Sequence, residues 1–184
     1  AAVSVCALAA QQKEGVPPLE TLALRPTFAV IAGAGSNIGV QMGTDGVVVV
    51  DAGERARGDD VVASIRRASP SPIRYVIDTS FDPEHVGGND IIAKAGRTLF
   101  ILNPLGQGLT GGGAAAILAA EGVLTRMSAA SGQTSPYPTA AWPTETFDGR
   151  RKYMYLNGEG IEVLHQPAAH SDSDVFVYFR GSDV

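Results

Sequence analysis

The segment Asp78-Thr79-Ser80-Phe81-Asp82-Pro83-Glu84-His85-Val86-Gly87-Gly88-Asn89 gathers two carboxylates and an imidazole, Asp82, Glu84 and His85, within four residues. That concentration is costly unless water, a proton or a metal ion relieves it. A second polar run, His165-Gln166-Pro167-Ala168-Ala169-His170-Ser171-Asp172-Ser173-Asp174, holds the other two of the chain's three histidines. Imidazoles and carboxylates in this combination can ligate a divalent ion or move a proton. They can also be plain structure, with Asp82 and Asp172 capping turns and the histidines sitting as ordinary loop residues. Composition and spacing leave both readings open.

The surrounding pattern shows what would position these loops. Thr27 to Ile31 reads as a strand, Gly33 to Asn37 as a turn, and Ile38 to Met42 as a second strand. Thr44-Asp45-Gly46 then turns into Val47 to Val50, giving antiparallel hairpins. Asp59 and Asp60 ahead of Val61, Val62 and Ile65, with Arg66 and Arg67 behind, predict a helix with one buried side. Pro70 and Pro72 end it. Ile73 to Asp78 reads as a buried strand leading into the first polar loop, an address where a rigid scaffold presents side chains. Helix is expected around Gly88 to Lys94, strand from Thr98 to Leu102, helix over Ala114 to Met127, and a loop or lid over Ser128 to Pro143. Three more strands follow at Lys152 to Leu156, Ile161 to His165 and Val175 to Phe179, so the second polar loop also lies between strands.

The chain has 184 residues, a formal charge of −5, 22 glycines and 11 prolines. That is one ordinary domain rich in turns, with too little positive charge for a phosphate-binding groove. The single cysteine, Cys6, allows no internal disulfide. Ala1 to Ala10 are small and apolar and give way to Gln11, Gln12, Lys13 and Glu14, as the tail of a signal peptide does. Residues 1–17 are therefore expected to be a signal-peptide remnant and N-terminal segment, residues 18–184 the domain, and the protein secreted or periplasmic. Neither a membrane span nor a nucleic-acid partner is expected. Gly33-Ala34-Gly35 after a strand suggests a dinucleotide fingerprint, but Ile38 stands where its third glycine belongs. Strand resumes by Val47, too soon for the required helix.

Four motifs in order, Gly35-Ser36-Asn37-Ile38-Gly39-Val40, Gly46 to Gly53, His85-Val86-Gly87-Gly88-Asn89 and Pro167 to Asp174, resemble the metallo-β-lactamase-fold hydrolase superfamily. Within it, the chain looks most like the secreted bacterial branch of quinoprotein-relay type. The resemblance implies a mixed α/β fold, a four-layer αββα sandwich whose second half is incomplete in these residues. Against the family's His-x-His-x-Asp-His motif, Ser80 takes the first His position, Asp82 the second, Glu84 the Asp position and His85 the last. His170 matches the imidazole of the His-Thr-x-Gly-Asp motif, and the family's bridging Asp and final His fall after Val184. The implied ligand set is Asp82, Glu84, His85 and His170, able to hold one ion. Zinc comes first, with manganese or iron as alternatives, or no ion if the altered motif binds none. Asp82 and Glu84 are the catalytic candidates, Glu84 as acceptor of a proton from water; Asp51 supports the motif loop. His165 is expected to face its turn.

Two functions follow from this resemblance. One is a metal-dependent hydrolase of a small ester, thioester, lactam or related bond, with a small-molecule substrate and a second segment or chain completing the fold. The other is a non-catalytic relative that kept the sandwich as a binding or scaffold protein.

Overall fold

The computed structural model describes residues 17–98, 101–102, 109–110, 113–128 and 133–184. The expected signal remnant with Cys6, part of the glycine-rich run after Leu105, and residues 129–132 of the expected lid lie outside the described residues.

In chain order the strands are β1 (Glu20–Arg25), β2 (Phe28–Ala34), β3 (Ser36–Met42), β4 (Val47–Val50), β5 (Ile73–Ile77), β6 (Ile101–Leu102), β7 (Leu109–Thr110), β8 (Ala116–Ala120), β9 (Glu145–Phe147), β10 (Arg151–Leu156), β11 (Glu159–Gln166) and β12 (Asp174–Phe179). The helices are α1 (Gly58–Ala68), α2 (Pro83–Val86), α3 (Asn89–Ala95) and α4 (Glu121–Met127), with short 3₁₀ turns at Arg55–Arg57 and Thr139–Ala141. A seven-stranded sheet runs β1-β2-β3-β4-β5-β8-β9, and β10-β11-β12 form a separate antiparallel sheet. β1 to β4 pair antiparallel as hairpins, whereas β4-β5, β5-β8 and β8-β9 are parallel, the crossover grammar of an α/β unit.

Side chains alternate across the large sheet and make two cores. Val47 and Val49 of β4, Val76 of β5 and Ile117 of β8 pack on one side against Val61, Val62 and Ile65 of α1 and Ile92 of α3. Val48, Ile77 and Leu118 point to the opposite side and meet Ile161, Val163, Val175 and Phe179 of the small sheet. Phe28 and Phe179 close that inter-sheet core edge to face, with ring centroids 4.9 Å apart. The order is helices, large sheet, small sheet. The outer face of the small sheet exposes Tyr153, Tyr155 and Phe176.

Two expectations change. Ala114 to Met127 is not one helix: Ala116–Ala120 is a strand and only Glu121–Met127 is helical. All five residues of β8 are buried between β5 and β9, and that enclosure overrides alanine's helix preference. The Gly33 to Asn37 turn is tighter than expected, β2 running to Ala34 and β3 starting at Ser36, with Gly33 and Gly35 at positive φ. β1 and β9 had no clear signature, β1 being exposed at every position and β9 three residues long. The rejection of a dinucleotide site holds, because hairpin and not helix follows Gly35.

Candidate active site

The first polar loop hangs between β5 and α3 and is stitched to the end of β4. Ala52 N–H donates to His85 O at 2.6 Å and Gly88 N–H to Gly53 O at 2.9 Å. Backbone at that distance leaves no room for side chains: a Cβ on Gly88 would lie 2.4 Å from Ala52 O, and one on Gly87 2.5 Å from Pro83 O. Gly88 therefore lets the loop lie against the end of β4, and Gly87 lets it close over Pro83. The second polar loop enters by a backbone bond from Val175 N–H to Thr79 O at 3.0 Å, which joins the small sheet to the rim of the large one.

Asp51 ends β4 with φ 65° and is nearly buried. Its carboxylate accepts from Thr79 N–H at 2.8 Å and from Thr79 Oγ1, and it pairs with His85 Nδ1 at 2.8 Å. Those bonds fix the start of the loop and the ring of His85 at once. The bond to Asp51 raises the His85 pKa against the opposing effect of partial burial. With Nδ1 engaged, Nε2 is the nitrogen left to meet a ligand.

Asp82 occupies the N-cap position of α2, with Pro83 at the first helical position, but its side chain makes no capping bond. The carboxylate turns instead to Ser80, whose Oγ donates at 3.0 Å, and to His170, whose Nδ1 lies 3.6 Å from Asp82 Oδ2. His170 is 74% exposed. The Glu84 side chain is exposed, and its backbone carbonyl accepts from Ser36 Oγ at 2.6 Å. Thr79, Ser80, Asp82, Glu84, His85 and His170 all line one open cleft of about 290 Å³.

The two ends of the chain's chemistry thus meet across one cleft, in two pairs: His85 with Asp51, and Asp82 with His170. Among the described residues no three His, Cys, Asp or Glu side chains converge into a group that could hold a metal ion. The donors nonetheless suit an ion one pair at a time. An oxygen and an imidazole nitrogen sharing a tetrahedral ion stand roughly 3.3–3.5 Å apart, given ligand bonds of about 2.0–2.2 Å; Asp82 and His170 are already 3.6 Å apart. A carboxylate behind the far nitrogen, as Asp51 stands behind His85, is the usual support of a ligating imidazole. These are two separate pairs and not one converging set among the described residues, and the neutral hydroxyl of Ser80 is a poor ligand for such an ion.

A profile of the metallo-beta-lactamase superfamily matches residues 32–184. The chain belongs to that superfamily. Solved structures agree on the fold: a Cronobacter sakazakii metallo-beta-lactamase with a HARLDQ motif is 16% identical with a TM-score of 0.67, over 89% of this chain and 59% of that one. A class B3 di-zinc metallo-beta-lactamase, LRA-12, from an Alaskan soil metagenome is 15% identical with a TM-score of 0.65, over 93% and 61%. A B3 enzyme described as having an active-site glutamic acid is 14% identical with a TM-score of 0.64, over 91% and 59%. The chain therefore spans about three fifths of the length of these structures. No curated protein matches it.

Within this superfamily member, Arg126 had no sequence signature at the site. Arg126 of α4 pairs with Asp172 and lays its guanidinium 5.1 Å from the centre of the Phe81 ring, so it bridges the two polar loops. Tyr137 donates from its hydroxyl to Phe81 O at 3.1 Å, and Trp142 Nε1 donates to Tyr137 O; both anchor the loop before β9. Asp172 is accordingly an ion-pair partner, while Asp174 accepts from Ser171 N–H at 2.9 Å. His165 Nε2 lies 2.7 Å from Asp172 O, facing its own turn as expected.

Proposed function

We propose that this chain carries the ligand-bearing part of a metal-dependent hydrolase with an altered site for one ion, acting on a small ester, thioester, lactam or related bond. Asp82, Glu84, His85 and His170, which line one cleft, are its candidate ligands. The observation that carries this reading is the Asp51–His85 bond at 2.8 Å, which spends a nearly buried carboxylate on orienting one imidazole at the cleft. When bound, such an ion supplies Lewis acidity to water and to the bond under attack. Asp51 fixes the His85 ring and its Nδ1 side. Ser80 donates to Asp82 Oδ2 and so limits how that carboxylate turns. Glu84, exposed at the cleft, would accept the proton released from water and return it to the leaving group. Zinc is the first candidate, with manganese or iron as alternatives compatible with the carboxylate share of the donors.

The fold relatives extend beyond the length matched here, and a second segment or chain completing the sandwich belongs to this proposal, as do placement in the quinoprotein-relay-type branch and export to the periplasm or medium. The last draws on the small apolar run Ala1 to Ala10 and is tested by the N-terminal sequence of the mature protein. A second reading, a non-catalytic binding protein, is favoured by one contact: Ser80 Oγ donates to Asp82 Oδ2 without any ion. Metal analysis and turnover of the full-length protein separate the two. The hydrolase reading expects near-stoichiometric zinc, manganese or iron and metal-dependent hydrolysis that His85→Ala abolishes. Trace metal and no turnover across esters, thioesters and lactams would leave the binding reading standing.

A further inference from the structure

Asp78 and Asn89 stand at the two ends of the loop that carries Asp82, Glu84 and His85, and both are completely buried. Asn89 Nδ2 donates to Asp78 Oδ2 at 2.9 Å and to Ala141 O at 3.1 Å. Two acceptors on its amide nitrogen fix which way the carboxamide faces, since the flipped amide would set oxygen against the Ala141 carbonyl. Asp78 Oδ1 and Asn89 Oδ1 are left buried with no partner among the described residues. Two orphan oxygens on groups already joined by one hydrogen bond lack the same thing, a donor, and an ionised carboxylate has none to give.

We propose that Asp78 is held as a neutral carboxylic acid, its Oδ1 hydroxyl donating to Asn89 Oδ1 while Asn89 Nδ2 donates to its Oδ2, an uncharged two-bond clasp closing the base of the motif loop. One proton satisfies both orphans. It also removes a charge from a fully buried site: burial pushes the carboxyl well above the usual range, Asn89 opposes this, and the Asp51 charge raises it further while His85 lowers it. Through Ala141 the clasp also tethers the 3₁₀ turn at Thr139–Ala141. Ionising Asp78 therefore costs the pair its second hydrogen bond and loosens both the motif loop and that turn, which makes the site sensitive to alkali independently of any metal.

The sign follows from linkage. The unfolded chain loses the Asp78 proton from about pH 4 upward, while the folded chain keeps it, so stability falls as pH rises through that window until folded Asp78 itself ionises. The test uses the full-length protein without added metal. Infrared spectra at pH 7 are expected to show the carbonyl band of a buried carboxylic acid, absent in Asp78→Asn. The amide pair of that variant keeps both bonds, so it is expected to fold and to lose the part of the pH slope assigned to Asp78. Asp78→Leu, which keeps neither bond, is expected to be less stable than both. An Asp78 carboxyl that titrates in the ordinary carboxylate range by carbon NMR overturns the proposal, even if Asp78→Asn fails to fold. An Asp78→Asn variant with the wild-type band and slope overturns it as well.

Discussion

Replacing Asp51 by asparagine separates what this residue does for the fold from what it does for the site. In the native arrangement its two oxygens serve Thr79 N–H, Thr79 Oγ1 and His85 Nδ1, all within 2.9 Å. An asparagine can keep one oxygen on Thr79 but must present an amide to His85, where two donors then face each other unless the imidazole moves its proton to Nε2. Losing one charge-assisted hydrogen bond costs roughly 1.5–3 kcal/mol, part of it recovered by the tautomer change. We therefore expect a stability loss of about 1–2 kcal/mol. The site loses more, because a protonated Nε2 has no lone pair for a ligand, and changes of this kind cost about 10–100-fold in metal affinity. Nitrogen NMR of the histidine ring reads the tautomer directly, calorimetry with zinc or cobalt reads the affinity, and denaturant unfolding reads the stability. If the variant keeps the Nδ1–H tautomer of His85 and binds metal like the wild type, Asp51 does not orient His85 for a metal.

Gly88→Ala forces a Cβ to 2.4 Å from Ala52 O; denaturant unfolding is expected to show a loss of about 1–3 kcal/mol, the usual cost of overpacking. Arg126→Ala removes the bridge from Phe81 to Asp172, both contacts partly exposed, so the loss of stability is about 1 kcal/mol, but faster hydrogen exchange is expected in both polar loops, not in one. Phe179→Ala empties the inter-sheet core beside Phe28, where the side chain is 1% exposed, and should cost about 3–5 kcal/mol by thermal or denaturant unfolding.

Much of the fold was legible because its signals are local. The valines of β4, flanked by Asp45-Gly46 and Asp51-Ala52-Gly53, admit little but a buried strand between turns, and the acids and bases around Val61 to Ile65 mark α1 at both ends. β8 is not legible in the sequence because an alanine-rich run carries no period of its own; only its place between β5 and β9 makes it a strand. The fourteen percent or so of identity to solved relatives leaves the fold recognisable and the substrate open.

The amino-acid sequence alone determined the inventory: three histidines in two loops, a first loop carrying Ser80, Asp82 and Glu84, and a pair of glycines after His85. It could not say which of these meet. The pairing of Asp82 with His170, 88 positions apart in number, depends on the small sheet docking so that Val175 bonds to Thr79. The bond between Asp51 and His85 depends on the loop folding back over β4. Arg126 reaching across to both loops, and the buried Asp78–Asn89 contact, arise in the same way. Residue types fix which protons and lone pairs exist. Their distances, and the water excluded from around them, come only from packing, which is why tertiary structure decided the orientation of His85, the fate of the Asp82 carboxylate and the charge state proposed for Asp78.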